Sequence, residues 1–224
     1  MELGSQVALG SRRTFEVTRS GESPKQTFLG KVKDSLPFTG NREVDSYRLR
    51  NFPNVFRGLW REAVARSLGI TSMFGTLKAT IIRADGTTVD LGIISMRVVT
   101  TAGAEFIVDA FQNLTEVENM KFHGFGTGGA AEAIGNTGLT TELTTQYAVD
   151  NTRPTGSTTE GATAIIYRSL GTLVPDAAVA ITEHGVFSAA AAGILLDRSL
   201  FTVINLVAAD QLATTFELSI TPGG

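Results

Sequence analysis

Three runs close the chain: VAITEHGVF at 179–187, LLDRSLFTVINLV at 195–207 and LATTFELSI at 212–220. In the last, Leu212, Thr214, Phe216, Leu218 and Ile220 alternate with Ala213, Thr215, Glu217 and Ser219. A period of two over this length marks a strand with one face on a core. Val179, Ile181, Glu183, Gly185 and Phe187 likewise share one face. The 195–207 run is apolar on both faces at several points, as a central strand can be. The Ala-rich link 188–193 ends in glycine, which fits a hairpin between the first two runs, and Ala208-Ala209-Asp210 reads as the next turn.

Two charges interrupt these apolar faces, Glu183 and Arg198. A buried charge needs a partner, so Glu183 is expected to pair with Arg198 or with Arg168 as a structural ion pair. An acid or metal site at Glu183-His184 is the competing reading.

Upstream, TLKATIIR (76–83) and TVDLGIIS (88–95) flank Asp85-Gly86, a hairpin signal. Residues 102–112 read as a short helix with Phe106, Ile107, Ala110 and Phe111 on one side. Residues 140–158 are Thr-rich and polar and read as a long surface excursion. Residues 161–170 read as a further strand. The count is about eight strands with short helices and turn-rich links. This predicts an all-β fold: an antiparallel β-sandwich, jelly-roll-like, with an extended N-terminal arm and one or two short helices.

The expected division is an extended basic arm at 1–52, an amphipathic helix and connector at 53–75, and a β-sandwich domain at 76–224. The arm shows no sustained periodicity and cannot bury itself, so it is expected to take its shape from a partner. Asn54 is the expected helix cap. Phe56, Leu59, Trp60, Ala63, Val64 and Leu68 fall on one stripe, with Arg57, Arg61 and Arg66 off it. That helix either packs on the β domain with solvated arginines or anchors in a partner through Trp60.

The chain has 224 residues, 42% hydrophobic and only 18% charged, with a net charge of −3. The charge is uneven: residues 1–70 carry 12 Lys+Arg against 7 Asp+Glu, and residues 71–224 carry 7 against 15. A basic leading third on an acidic body suggests docking on something acidic. The absence of cysteine excludes disulfides, thiolate metal sites and a Cys nucleophile. The start carries no apolar run of signal-peptide length, and the longest apolar run, 189–196, is far short of the ~20 residues of a membrane helix.

No catalytic pattern stands out in the sequence. The glycines Gly124, Gly126 and Gly129 match G-x-G-x-x-G, but a dinucleotide site needs a strand-to-helix turn in a parallel unit, and the surroundings read antiparallel. His123 and His184 are the only histidines. A metal shared on a threefold axis is weighed against ordinary hydrogen-bonded strand histidines, and the latter is preferred because two ligands are too few. No nucleophile elbow and no carboxylate pair stands out. The expectation is therefore no enzyme, no cofactor, no metal and no small-molecule substrate.

The stretches FHGFGTGGAAEAIGNTGLTTELTTQYAVDNTRPTG (122–156), YRSLGTL (167–173) and ITEHGVFSAAAAGILLDRSLF (181–201), with the closing TPGG, resemble a recurrent family of tailed-bacteriophage structural proteins. Its members carry an HG-GTGTTA-like loop, an AVGDTAL-like turn, an EHGLF strand and an LLDR strand. The resemblance covers roughly residues 98–224 and leaves 1–75 outside. It implies a virion component. A short sandwich with an adhesive leading segment suits a capsid decoration (cement) protein on the outer surface of the head. Such a protein staples neighbouring major capsid subunits, commonly as a homotrimer, with no membrane and no direct nucleic-acid contact. The residues expected to touch the partner are Arg12, Arg13, Phe28, Arg48, Arg50, Arg57 and Trp60. The alternative is a tail fibre, baseplate or other tail-associated adhesion protein, with 140–158 as its exposed tip.

Overall fold

The structure, a computed structural model, describes residues 28–116, 120–148 and 150–221. Two helices lead, α1 (Phe28–Ser35) and α2 (Arg42–Ser67). The hairpin β1 (Ser72–Ile82) and β2 (Thr88–Val99) follows, then α3 (Thr101–Phe111). The remaining strands are β3 (Phe122–Gly126), β4 (Ser157–Glu160), β5 (Ile166–Leu173), β6 (Val179–Phe187), β7 (Leu195–Leu206) and β8 (Gln211–Thr221).

The strands lie in the order β3-β6-β7-β2-β1-β8-β5-β4, and each paired neighbour is antiparallel. β2 belongs to both halves. Most of it pairs with β1, while Val98 and Val99 pair with Arg198 and Asp197 of β7. The order bends there into two antiparallel sheets that face one another as a sandwich. His123 on β3 reaches Ser169 on β5 and Thr214 on β8, so the two inner faces are in contact. Where the sheets' far edges approach, the His123 N–H donates to Pro154 O at 3.0 Å and the Gly156 N–H to Lys121 O at 2.7 Å.

Between the sheets lies the main core, with Leu77, Phe125, Ile181, Leu196 and Phe216 fully buried. Each such side chain contributes about 1.5–3 kcal/mol relative to exposure. A second, smaller core joins α2 to β2 through Val55, Leu59, Ile93 and Met96, with Val32 of α1 packed against it. Both Ile93 and Met96 turn toward the helix while Ile94 turns to the main core. The β1/β2 pairing slips register at Leu77/Lys78 and again at Ala79/Thr80, which inserts the residues that make this possible.

Several expectations are corrected. Residues 28–52 are not an extended arm: they form α1 and the first part of α2, and they fold back on the body. The helix is capped by Asn41, not Asn54; Asn41 Oδ1 accepts from the N–H groups of Glu43 and Val44 at 3.0 and 3.4 Å. Pro53 sits inside α2 without ending it. It leaves the carbonyl of Leu49 without its helical donor, but Leu49 and Pro53 both lie on the exposed side, where water can supply one. The expected strand 161–170 is a hairpin: Gly161 N–H donates to Ile166 O at 2.7 Å, and residues 161–165 turn between β4 and β5. The 140–158 stretch is no free excursion. Leu143 and Tyr147 enter the core, and the Tyr147 hydroxyl accepts from the Phe125 N–H at 2.9 Å. The proposed arm at 1–27 lies outside the described residues.

Candidate partner interface

α2 has two faces. Val44, Tyr47, Arg48, Asn51, Val55, Gly58, Leu59 and Glu62 point inward and are buried. Gly58 lets the helix backbone approach Met96; a Cβ there would overlap the Met96 backbone. Asn51 Nδ2 donates to Ile94 O at 2.6 Å, and its Oδ1 accepts from the Thr202 N–H at 2.9 Å, so one amide ties the helix to β2 and β7. Tyr47 OH donates to Thr202 O at 3.0 Å. Glu62, fully buried, is held by Lys31 of α1 at 2.9 Å and by Arg66 at 2.8 Å.

The opposite face is left bare. Leu49, Phe56, Trp60, Val64 and Leu68 are all exposed, Trp60 at 63%. The last four are spaced by four residues and form one ridge. Arg50, Arg57 and Arg61 flank it. From 46 to 70 the single carboxylate is the buried Glu62, so the outer face carries cations without exposed anions. Among the described residues neither Arg57 nor Arg61 forms an ion pair.

Beside this ridge, between α2 and α3, runs a groove of about 310 Å³ with Met73, Met96, Val99 and Ile134 among its lining and Arg61 at its edge. Arg97 also lines it. The Arg97 side chain is only 5% exposed and lies 3.1 Å from Glu132 through Nε. That contact is close enough for an ion pair but is not aligned as a hydrogen bond. Nη2 donates to Asn54 Oδ1 at 2.8 Å. Burial lowers the Arg97 pKa; Glu132 opposes the shift, and the charges of Arg57 and Arg61 add to it. Two guanidiniums, Arg61 and Arg97, thus line one largely apolar groove, and the charge of Arg57 acts on Arg97.

Next to the groove, beneath the loop that carries Glu132 and Ile134, Glu183 Oε2 sits 2.7 Å from Arg198 Nη2, with both residues buried. Glu183 also accepts from the N–H groups of Gly128, Thr140 and Thr141 at 3.0, 3.0 and 2.8 Å. Burial pulls its pKa up, but these N–H groups and Arg198 outweigh that and hold it below the usual carboxylate value. Gly128 has no room for a Cβ against Glu183 and Thr140. The glycine pattern at 124–129 therefore wraps a buried carboxylate on an antiparallel strand, not a pyrophosphate at a helix start. Arg198 also donates to Ala130 O, Ala131 O, Asn136 Oδ1 and Thr140 Oγ1. Arg168 takes a different partner, Glu217, at 2.6 Å.

His123 Nδ1 and His184 Nε2 are 2.9 Å apart, and His123 Nε2 is 2.9 Å from Ser169 Oγ. Both rings are fully buried, and burial lowers both pKa values, that of His123 to about 3. The pair is neutral and sits inside the sandwich, not on a surface that a symmetry axis could share. Among the described residues no group of three or more His, Asp or Glu side chains could hold a metal ion.

Of the expected contact residues, Arg50, Arg57 and Trp60 are brought together on the outer face of α2. Arg48 is not among them. It is buried, and its Nε donates to Leu91 O at 3.1 Å and its Nη1 to Leu36 O at 3.2 Å, joining α1, α2 and β2. It lies one turn from Asn51 and two turns from Val55 on the inward face, so its charge is used internally. Phe28 opens α1, and its side chain, like Arg12 and Arg13, lies outside the described residues. Leu49, Arg61 and Arg97 belong to the face and were missed. Arg97 sits in a strand where only the fold brings it beside α2.

No protein-family model matches this chain, and no curated protein matches it with significance.

Proposed function

We propose that the protein is a structural component of a tailed-bacteriophage virion, a decoration (cement) protein of the outer head surface. In this reading the β-sandwich, of jelly-roll-like type, is the rigid body, and it functions as a homotrimer. The outer face of α2 lies on neighbouring major capsid subunits and ties them together. Residues 1–27, with Arg12 and Arg13, extend that contact. The observation that carries the reading is the bare ridge of Phe56, Trp60, Val64 and Leu68 on a helix whose other face is locked to the body. An apolar ridge held rigid and rimmed by arginine has the make-up of an interface centre. The sequence resemblance supplies the virion setting.

The test is to add purified full-length chain to heads that lack it and to count bound copies by quantitative gel analysis after sedimentation. Saturation at hundreds of copies per head, with heads that then resist heating, is the expected result. Absence of binding, or a handful of copies confined to the tail, overturns it.

A further inference from the structure

We infer that the groove between α2 and α3 is a receptor for an acidic side chain borne on an apolar segment of a partner protein. The partner's carboxylate enters between Arg61 and Arg97, and its apolar neighbours cover the α2 ridge. The inference deepens the proposed docking role and rests on it for the partner's being a protein subunit.

Three observations converge. First, the guanidinium of Arg97 is buried at the groove, and its Nε has no aligned acceptor. Such a group is costly to leave unsatisfied. Second, Arg57 and Arg61 stand close enough to Arg97 to disfavour its charge, with Glu132 as the opposing carboxylate. An incoming anion relieves that repulsion. Third, the lining includes Met73, Met96, Val99 and Ile134, and the ridge beside it runs from Phe56 to Leu68, about 18 Å at 1.5 Å per residue. Methionine and aliphatic surface adapts to another protein's side chains.

Other polyanions fit less well. A flat anionic membrane meets the ridge but cannot place a phosphate beside Arg97 in the groove. Nucleic acid offers phosphates, but it leaves Leu49, Val64 and Leu68 against polar sugar. The leading segment of this chain is a poor occupant too, since residues 1–27 carry 4 Lys+Arg against 3 Asp+Glu. Two copies meeting ridge to ridge would set arginine against arginine.

Trp60 is the chain's single tryptophan and lies on the ridge, so its emission reports occupancy directly. The full chain is titrated with a Glu/Leu amphipathic peptide, with its Gln/Leu counterpart, with phosphatidylglycerol vesicles and with oligothymidine. The expected result is a blue shift with the Glu/Leu peptide. Binding weakens at least tenfold for the Gln/Leu peptide and for Arg57→Glu/Arg61→Glu, and at least fivefold from 50 to 500 mM salt. Arg97→Gln reports on the groove floor; Arg61→Glu, at an exposed site, serves if that variant does not fold. Equal binding of both peptides, tighter binding of vesicles or oligothymidine, or no emission change with the Glu/Leu peptide overturns the inference. Head binding untouched by Arg57→Glu/Arg61→Glu removes the groove and leaves the virion role. Peptide binding without head binding does the reverse.

Discussion

Arg198 places Nη2 2.7 Å and Nε 3.0 Å from the same oxygen of Glu183, Oε2, with both residues cut off from solvent. The pair closes the loop 128–141 over the outer side of β6 and β7, because the remaining hydrogen bonds of both side chains go to that loop. Removing one partner leaves a buried charge without its counter-charge. Glu183→Gln is expected to cost about 3–5 kcal/mol of unfolding free energy in urea titration. Glu183→Gln/Arg198→Met should cost less than the sum of the two single changes. Strict additivity would show that the two side chains act separately.

Stability should fall in acid before ordinary carboxylates titrate. His123 and His184 have folded pKa values below the usual 6.5, about 3 for His123, because burial disfavours the charged ring. The unfolded chain therefore binds protons first, and stability is lost as pH falls from about 6.5 toward 3. His184→Gln should flatten this arm in melts from pH 7 to pH 4.

Asp197 acts with the opposite sign. Burial raises its pKa to about 7, the Ser199 hydroxyl at 3.1 Å opposes the shift, and the charge of Glu132 adds to it. The folded state holds the proton longer than the unfolded state. Its stabilising effect is complete below about 3.8 and is lost as pH rises through 7. This opposes the histidine effect over the same range, so Asp197→Asn should make the rise in stability from pH 4 to pH 7 steeper in the same melts.

Two arginines two residues apart should behave oppositely. Arg48→Ala removes buried donors to Leu36 O and Leu91 O and should cost about 2 kcal/mol. Arg50→Ala, on the exposed face, should stay within about 0.5 kcal/mol. Trp60→Ala should also leave the melting temperature nearly unchanged but should weaken head binding by about 2 kcal/mol or more, as the centre of an interface does.

Truncation separates the leading segment from the helices. Deleting residues 1–27 should leave thermal unfolding intact. Deleting 1–52 removes Val44, Tyr47, Arg48 and Asn51 from the inward face and uncovers β2, so that product should aggregate or melt at least 10 °C lower.

The sheets were legible where alternation was clean. VAITEHGVF bounds β6 to the residue, and the Asp85-Gly86 signal marks the β1/β2 turn, in which the Arg83 N–H donates to Thr87 O. Glu183 and Arg198 could be read because a charge on an apolar face demands a counter-charge. The helices were obscured by Pro53, which usually marks an end but here falls on a solvent-facing turn. The sense of the α2 stripe was also hidden. Leu59 and Trp60 are adjacent in sequence, yet only Leu59 is buried, because the inner face is completed by Tyr47, Arg48, Asn51 and Glu62, whose polarity disguises it. Arg97 carried no local signal; its role comes from the approach of α2 and α3.

β1 is the first strand made, yet its neighbour on one side is β8, paired from Ser72↔Thr221 to Ile82↔Gln211. On the ribosome, that edge of β1 stays unpaired until about 140 further residues have been added, a wait set by contacts distant in sequence. During synthesis the nascent hairpin is therefore an open template for strands of other chains. The early helices α1 and α2, packed together on β2, are the elements available from the start to shield it.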